Sequence, residues 1–84
     1  SKVFDALGDP TRRELVRLLA ARDLHVSEIP KYICLSRPTI SYHLKLLKEA
    51  GLVRYAKKMT KIYYTLNHSL IKRASQIFLQ DLCL

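Results

Sequence analysis

Glycine is scarce in this chain, two among 84 residues. There is no Gly-rich turn to cradle a phosphate, no nucleophile with its base, and no converging pair of acids, so catalysis is set aside. Acids are scarce as well. Seven Asp and Glu stand against fifteen Lys and Arg, and the net charge of +8 points to a polyanion, nucleic acid before an anionic membrane. No apolar run approaches the roughly 20 residues of a spanning helix. The opening SKVFDALGD has acids where a secretory signal would carry an apolar core. A cytoplasmic location without membrane contact is therefore expected. The two cysteines, Cys34 and Cys83, lack metal-type spacing and read as free thiols in the role of small apolar residues. The length allows one domain, 1–84. A chain of this size buries only roughly two-thirds of its unfolded surface, which suits it to further burial by oligomerisation.

The stretch SRPTISYHLKLLKEAG, Ser36 to Gly51, carries the most information. At 3.6 residues per turn, Ile40, Leu44 and Leu47 fall within roughly 60° of one another, a stripe suited to a core. Pro38, Ser41, Tyr42 and Lys45 occupy an opposite arc of about 100°, with Arg37 and Lys48 at its edge. That arc offers hydrogen-bond donors, positive charge and an aromatic ring, interrupted by no acid but Glu49. The ends are equally marked, with Ser36 as N-cap, Pro38 in the first turn and Gly51 where a left-handed residue is wanted.

Around this helix the rest of the chain falls into place. Val3, Phe4 and Leu7 predict a short first helix ending at Gly8. Asp9 caps a second, from Pro10 to about Arg22, with Leu15, Leu18 and Leu19 inward and Arg12, Arg13 and Arg17 off that stripe. Leu24 to Val26 is too short for more than an extended stub. Ser27 is then expected to cap a short helix with Pro30 in its first turn and Ile29 and Ile33 inward. A turn through Cys34 and Leu35 leads to the Ser36 helix, which makes a helix-turn-helix. After Gly51 the period changes to two, and LVRYAKK, MT and KIYYTL predict a hairpin with Ile62, Tyr64 and Leu66 on one face. MT is poorly suited to the positive φ of a two-residue turn, so a longer, looser tip is expected, with Lys57, Lys58 and Lys61 clustered there. Edge-strand lysines also guard against aggregation, but beside a helix-turn-helix phosphate contact is the preferred reading. Asn67 caps a last helix, Ser69 to about Leu82, whose Leu70, Ile71, Ala74, Ile77, Phe78 and Leu82 spread over about 120°.

These residues, in this order, resemble the ArsR/SmtB winged-helix transcriptional repressors. The resemblance is carried by ALGDPTRRELVRLL (Ala6 to Leu19), LSRPTISYHLKLLKEAGLV (Leu35 to Val53) and IYYTL (Ile62 to Leu66). It implies a mainly α fold with a small hairpin (α+β), a winged helix-turn-helix of about five helices plus a two-stranded wing. It also implies a homodimer joined through its terminal helices, here Val3, Phe4, Leu7, Leu70, Ala74, Ile77, Phe78 and Leu82. Recognition helices enter successive major grooves of operator DNA. By position, Arg37, Ser41 and Tyr42 face the groove, with Ser36 and Thr39 near the backbone, and Lys45, Lys57, Lys58 and Lys61 join them from the charge pattern. Two departures bear on the signal. Where metal-sensing members carry a cysteine pair, aligned with Asp23 to Ile29, this chain has His25 and Ser27, followed by Glu28. On the last helix, Asn67 and His68 stand with no second histidine. With His25, His43 and His68 scattered, no metal or other cofactor is expected.

The function expected is sequence-specific regulation of transcription, as a homodimeric repressor on a pseudo-palindromic operator in the cytoplasm, associated with the nucleoid. The competing readings are a nonspecific DNA-coating protein or a protein-interaction module and, within the repressor class, a redox- or metal-responsive sensor. An effector, ligand or protein, is left open. RNA is disfavoured, because the hairpin tyrosines read as at least half buried.

Overall fold

A computed structural model describes residues 2–81. Leu82 and Cys83 lie outside the described residues, as does the Phe78 side chain. The elements run α1 (Lys2–Leu7), α2 (Pro10–Ala21), β1 (Leu24–His25), a 3₁₀ helix (Val26–Lys31), α3 (Arg37–Glu49), β2 (Val53–Lys58), β3 (Lys61–Leu66) and α4 (His68–Asp81).

Local chemistry accounts for the helix boundaries. The Asp9 carboxylate accepts from the backbone N–H of Thr11 at 2.7 Å and of Arg12 at 3.1 Å, and Pro10 follows where a missing N–H costs nothing. The Arg12 and Thr11 amides, with the Arg12 guanidinium and His43 nearby, hold the Asp9 carboxyl below the ordinary aspartate range. At the far end of α3, Gly51 takes φ +79°. The N–H of Leu52 then donates to Leu47 O and that of Gly51 to Lys48 O, both at 2.9 Å, which is a Schellman closure. Asn67 caps α4 through Oδ1, which accepts from Leu70 N–H at 3.3 Å, while its Nδ2 donates to Gly51 O at 2.9 Å. One asparagine thus ties the end of α3 to the start of α4.

Leu15 and Leu19 of α2, Leu24, Ile29, the α3 stripe Ile40, Leu44 and Leu47, and then Leu52 and Val53 are all fully buried in one core. Each such side chain contributes about 1.5–3 kcal/mol of transfer free energy. The α1 helix is held on by α2. Arg12 Nε donates to Ala6 O at 2.7 Å and Arg13 Nη1 to Leu7 O at 2.8 Å, covering carbonyls that a six-residue helix leaves open.

Four expectations are corrected. The stub at Leu24 is a true strand, paired antiparallel with β3 (Leu24 opposite Tyr64, His25 opposite Tyr63), so the sheet has three strands in the order β1-β3-β2 rather than two. Ser27 is not the cap of the next helix. His25 is, its Nδ1 accepting from Ser27 N–H at 3.2 Å while Glu28 Oε1 accepts from His25 N–H at 2.9 Å. The strand ends one residue before the helix begins, which leaves no room for a later cap. Pro30 sits inside this 3₁₀ helix rather than in a first α turn, and its missing N–H helps keep the segment short. The wing tip is tight, not loose. Lys58 pairs with Lys61 across the two residues Met59 and Thr60, and Met59 takes φ +59°. Positive φ at the first central position alone is the pattern of a II′ turn, which matches the twist of the strands at a strain of about 1–2 kcal/mol for a non-glycine residue.

Candidate nucleic-acid interface

The Ser36-capped helix presents its polar face as the sequence implies. Ser36 Oγ accepts from Thr39 N–H at 3.3 Å and lies 2.9 Å from Thr39 Oγ1, so both hydroxyls are engaged in starting the helix. Arg37, Pro38, Ser41, Tyr42 and Lys45 are exposed while Ile40, Leu44 and Leu47 are shut away, so the two faces separate completely. The Tyr42 ring is 58 % exposed and stands edge-on to His43, with ring centroids 5.5 Å apart. Lys45 and Glu49 form only a loose pair at 4.0 Å, one turn apart, which leaves the ammonium open to another anion.

Behind this face, the helix is fastened at its middle and near its C-terminal end by contacts the sequence did not disclose. Arg12 Nη1 lies 3.4 Å from His43 Nδ1, so a residue holding α1 also reaches α3. Lys48, at the edge of the polar arc, lies over the Tyr55 ring, 4.3 Å from its centroid, and links α3 to the root of the wing. Only i, i+3 and i, i+4 neighbours are visible in a sequence. Neither contact is of that kind.

The wing lysines lie close in sequence but do not share a face. Residues opposite each other in the β2–β3 ladder point the same way. Lys57, opposite Ile62, therefore shares a face with Tyr55 and Tyr64, whereas Lys58 and Lys61 oppose each other on the other face. Lys58 is also partnered, its Nζ donating to Asp23 Oδ2 at 3.2 Å and lying over the Tyr63 ring. The Thr65 hydroxyl and the Lys58 ammonium hold the Asp23 carboxyl below its ordinary range. Among the described residues, Lys57 and Lys61 carry no such pair. Ile62 is 45 % exposed rather than inward, because the strand has left the core by that point. Tyr55, at 52 % exposed, is likewise more open than expected.

A second surface opens on the far side. Val3 and Phe4 of α1 with Leu70, Arg73, Ala74 and Ile77 of α4 line one open cleft of about 310 Å³. Five of the residues expected at a dimer interface thus come together, and Leu7 lies off the cleft, half-buried against the core. Ile77 and Leu79 remain 50 % and 45 % exposed. Cys34 is an exposed free thiol, not the packed apolar residue expected. Among the described residues no three His, Cys, Asp or Glu side chains gather as a metal ion would require, and no helix is long and apolar enough to cross a membrane.

Comparison with known proteins adds a family to this geometry. The sequence profile described as "Bacterial regulatory protein, arsR family" matches residues 9–55. The transcriptional repressor SdpR of Bacillus subtilis is 38 % identical over 72 residues, covering 86 % of this chain and 80 % of that protein. An ArsR-like transcriptional regulator from Rhodococcus sp. RHA1 superposes with a TM-score of 0.87 at 30 % identity, over 96 % of this chain and 76 % of the other. The homodimeric winged helix-turn-helix DNA-binding domain of a possible ArsR-family regulator from Mycobacterium bovis gives a TM-score of 0.73 at 25 % identity, over 95 % of this chain and 81 % of that one.

Proposed function

This chain belongs to the arsR family of bacterial regulatory proteins, DNA-binding regulators rather than enzymes, and on that premise we propose that it is a homodimeric repressor, each copy laying α3 in one half of a pseudo-palindromic operator. The observation that carries this reading is the separation of faces on α3: an apolar stripe fully buried, and an opposite face of Arg37, Ser41, Tyr42 and Lys45 open along its length. A helix packed in this way meets the major groove as a rigid body. Arg37 supplies the fork that matches guanine O6 and N7, and Tyr42 and Ser41 reach neighbouring base edges. Ser36 and Thr39, engaged at the helix start, sit against the phosphate backbone with Lys45. Lys57 and Lys61 take phosphates from the wing, and Lys58 shares itself between a phosphate and Asp23.

The cleft between α1 and α4 is the proposed dimer contact. Phe4 and Ile77 stand 42 % and 50 % exposed in a cleft completed by Val3, Leu70 and the buried Ala74, apolar surface that a second copy would cover, and the homodimeric Mycobacterium bovis domain has the same fold. Residues 1–84 then act as one DNA-binding and dimerising unit, cytoplasmic and on the nucleoid. Release does not use thiolate-bound metal in this reading, because the Asp23–Ile29 segment offers His25 and Ser27 as its only neutral donors.

Selection from a randomised duplex pool tests the proposal, followed by titration of the enriched site and of random DNA at one salt concentration. A specific repressor favours its site by roughly 10³-fold or more. Equal affinities would instead mark a nonspecific DNA-coating protein.

A further inference from the structure

The wing tip breaks two local rules at once. Met59 holds a backbone conformation that glycine or asparagine would adopt with less strain. Lys58 and Lys61 face each other directly across the ladder, a like-charge pair whose repulsion the Asp23 carboxylate beside Lys58 relieves. The Met59 side chain is 94 % exposed, the most open of the large apolar residues among those described. Protection of an edge strand explains the lysines, since β2 lies at the edge of the sheet. It does not explain an apolar side chain at the apex, which acts in the opposite direction. Rules broken together at one point mark a functional site.

The geometry of the tip indicates what it meets. The ladder is unbroken from Val53 opposite Leu66, both buried, to Lys58 opposite Lys61. At about 3.3 Å per residue the ladder carries its last pair, at the foot of the Met59 turn, roughly 17 Å beyond that root. Alternation sends Lys57 to one face of the ribbon and Lys58 and Lys61 to the other. Lys57 and Lys61 therefore flank an unbranched apolar chain from opposite faces, as phosphates flank a minor groove about 6 Å wide, while Lys58 is turned back to Asp23. Methionine is slim and adaptable, and it is among the side chains that wedge between base steps.

We propose that Met59 is a specificity-determining residue, an apolar wedge that the wing carries into the minor groove flanking each half-site, so that flanks with easily opened base steps are preferred. The proposal rests on the repressor reading given above. Pyrimidine–purine steps such as TA unstack readily whereas A-tracts are stiff and narrow, so the preference arises without a hydrogen bond to any base. Its ligand is a double-stranded flank, recognised by deformability together with phosphate charge.

The test uses the full chain on duplexes that share the selected core site and differ only in the flanking step, TA or A-tract. Wild type should prefer the TA flank by about tenfold, equivalent to about 1.4 kcal/mol. Met59→Gly should reduce that preference to below about twofold while the core-site preference is kept. Its melting temperature should stay level or rise, because glycine relieves the backbone at this position. Met59→Leu should keep most of the flank effect. With 2-aminopurine at the flanking step, wild type should brighten the probe on binding and Met59→Gly should not. Equal flank preference in wild type and Met59→Gly, with core selection intact, overturns the wedge and leaves the repressor reading standing. Failure of wild type to enrich any core sequence overturns the repressor reading and the wedge with it.

Discussion

Gly51→Ala probes the joint on which α3 is hung. Gly51 ends α3 at φ +79°, its N–H closes the helix on Lys48 O, and its own carbonyl accepts from Asn67. An alanine held there is strained by about 1–2 kcal/mol. The stiffer unfolded chain returns about 0.4–1 kcal/mol. The added Cβ would stand 3.3 Å from Leu70 Cδ2 on α4, a contact the end of a leucine can ease by a small shift. The net loss is therefore about 1 kcal/mol, and for a domain of this size the melting temperature should fall by about 4–8 °C. Thermal unfolding followed by circular dichroism reads this directly. Gly51→Asn, which tolerates the left-handed region, should lose less. An alanine variant as stable as wild type, or an asparagine variant less stable than the alanine one, would refute the reasoning.

Other outcomes follow from the same geometry. Asp9 and Asp23 both have lowered carboxyl pKa values. Their contribution is present above the unfolded value of about 3.9 and is lost as pH falls through the lower folded value, so melting temperature should be level from neutral pH to about 5 and drop below about pH 4. Asp9→Asn, which keeps an amide oxygen at the cap, should flatten that drop. Ile77→Asp, placed where the residue is half exposed in one copy, should leave the fold intact and weaken dimerisation at least about tenfold in sedimentation, since a carboxylate would be desolvated in an apolar seam even with Arg73 one turn away. Identical sedimentation of variant and wild type would remove the α1–α4 cleft from the interface. Zinc should leave operator affinity within about twofold, and stoichiometric binding coupled to a roughly tenfold loss would contradict the metal-independent reading.

Much of the fold was legible in the sequence because its signals are local. As caps, Asp9, Ser36, Gly51 and Asn67 act within a turn of themselves, though Asn67 also reaches Gly51, and a 3.6-residue stripe such as Ile40, Leu44 and Leu47 is set by one helix alone. What escaped is non-local. A two-residue strand such as Leu24–His25 has no period to read, and only Tyr63 and Tyr64 on β3 turn it into one. Period two assigned Ile62 to the right face yet said nothing of depth, and the strand outruns the core there. Met59 argues against a tight turn on its own, but the ladder on either side holds the turn closed. The exposed polar face of α3 was legible and the arrangement of the wing lysines less so, because the partnership of Lys58 with Asp23 spans 35 residues of sequence.

The central claim is that α3 reads bases while the wing lysines hold phosphates, and paired titrations of Arg37→Ala and Lys61→Ala test it most directly. On the selected operator Arg37→Ala should cost about 1–3 kcal/mol and relax the preference at one base position in each half-site, with little change on random DNA. Lys61→Ala should weaken operator and random DNA by a similar factor and reduce the salt slope of the dimer by about 2, one phosphate contact per copy. If instead Arg37→Ala lowers affinity for operator and random DNA equally, α3 is an electrostatic anchor and sequence-specific repression by this surface is contradicted.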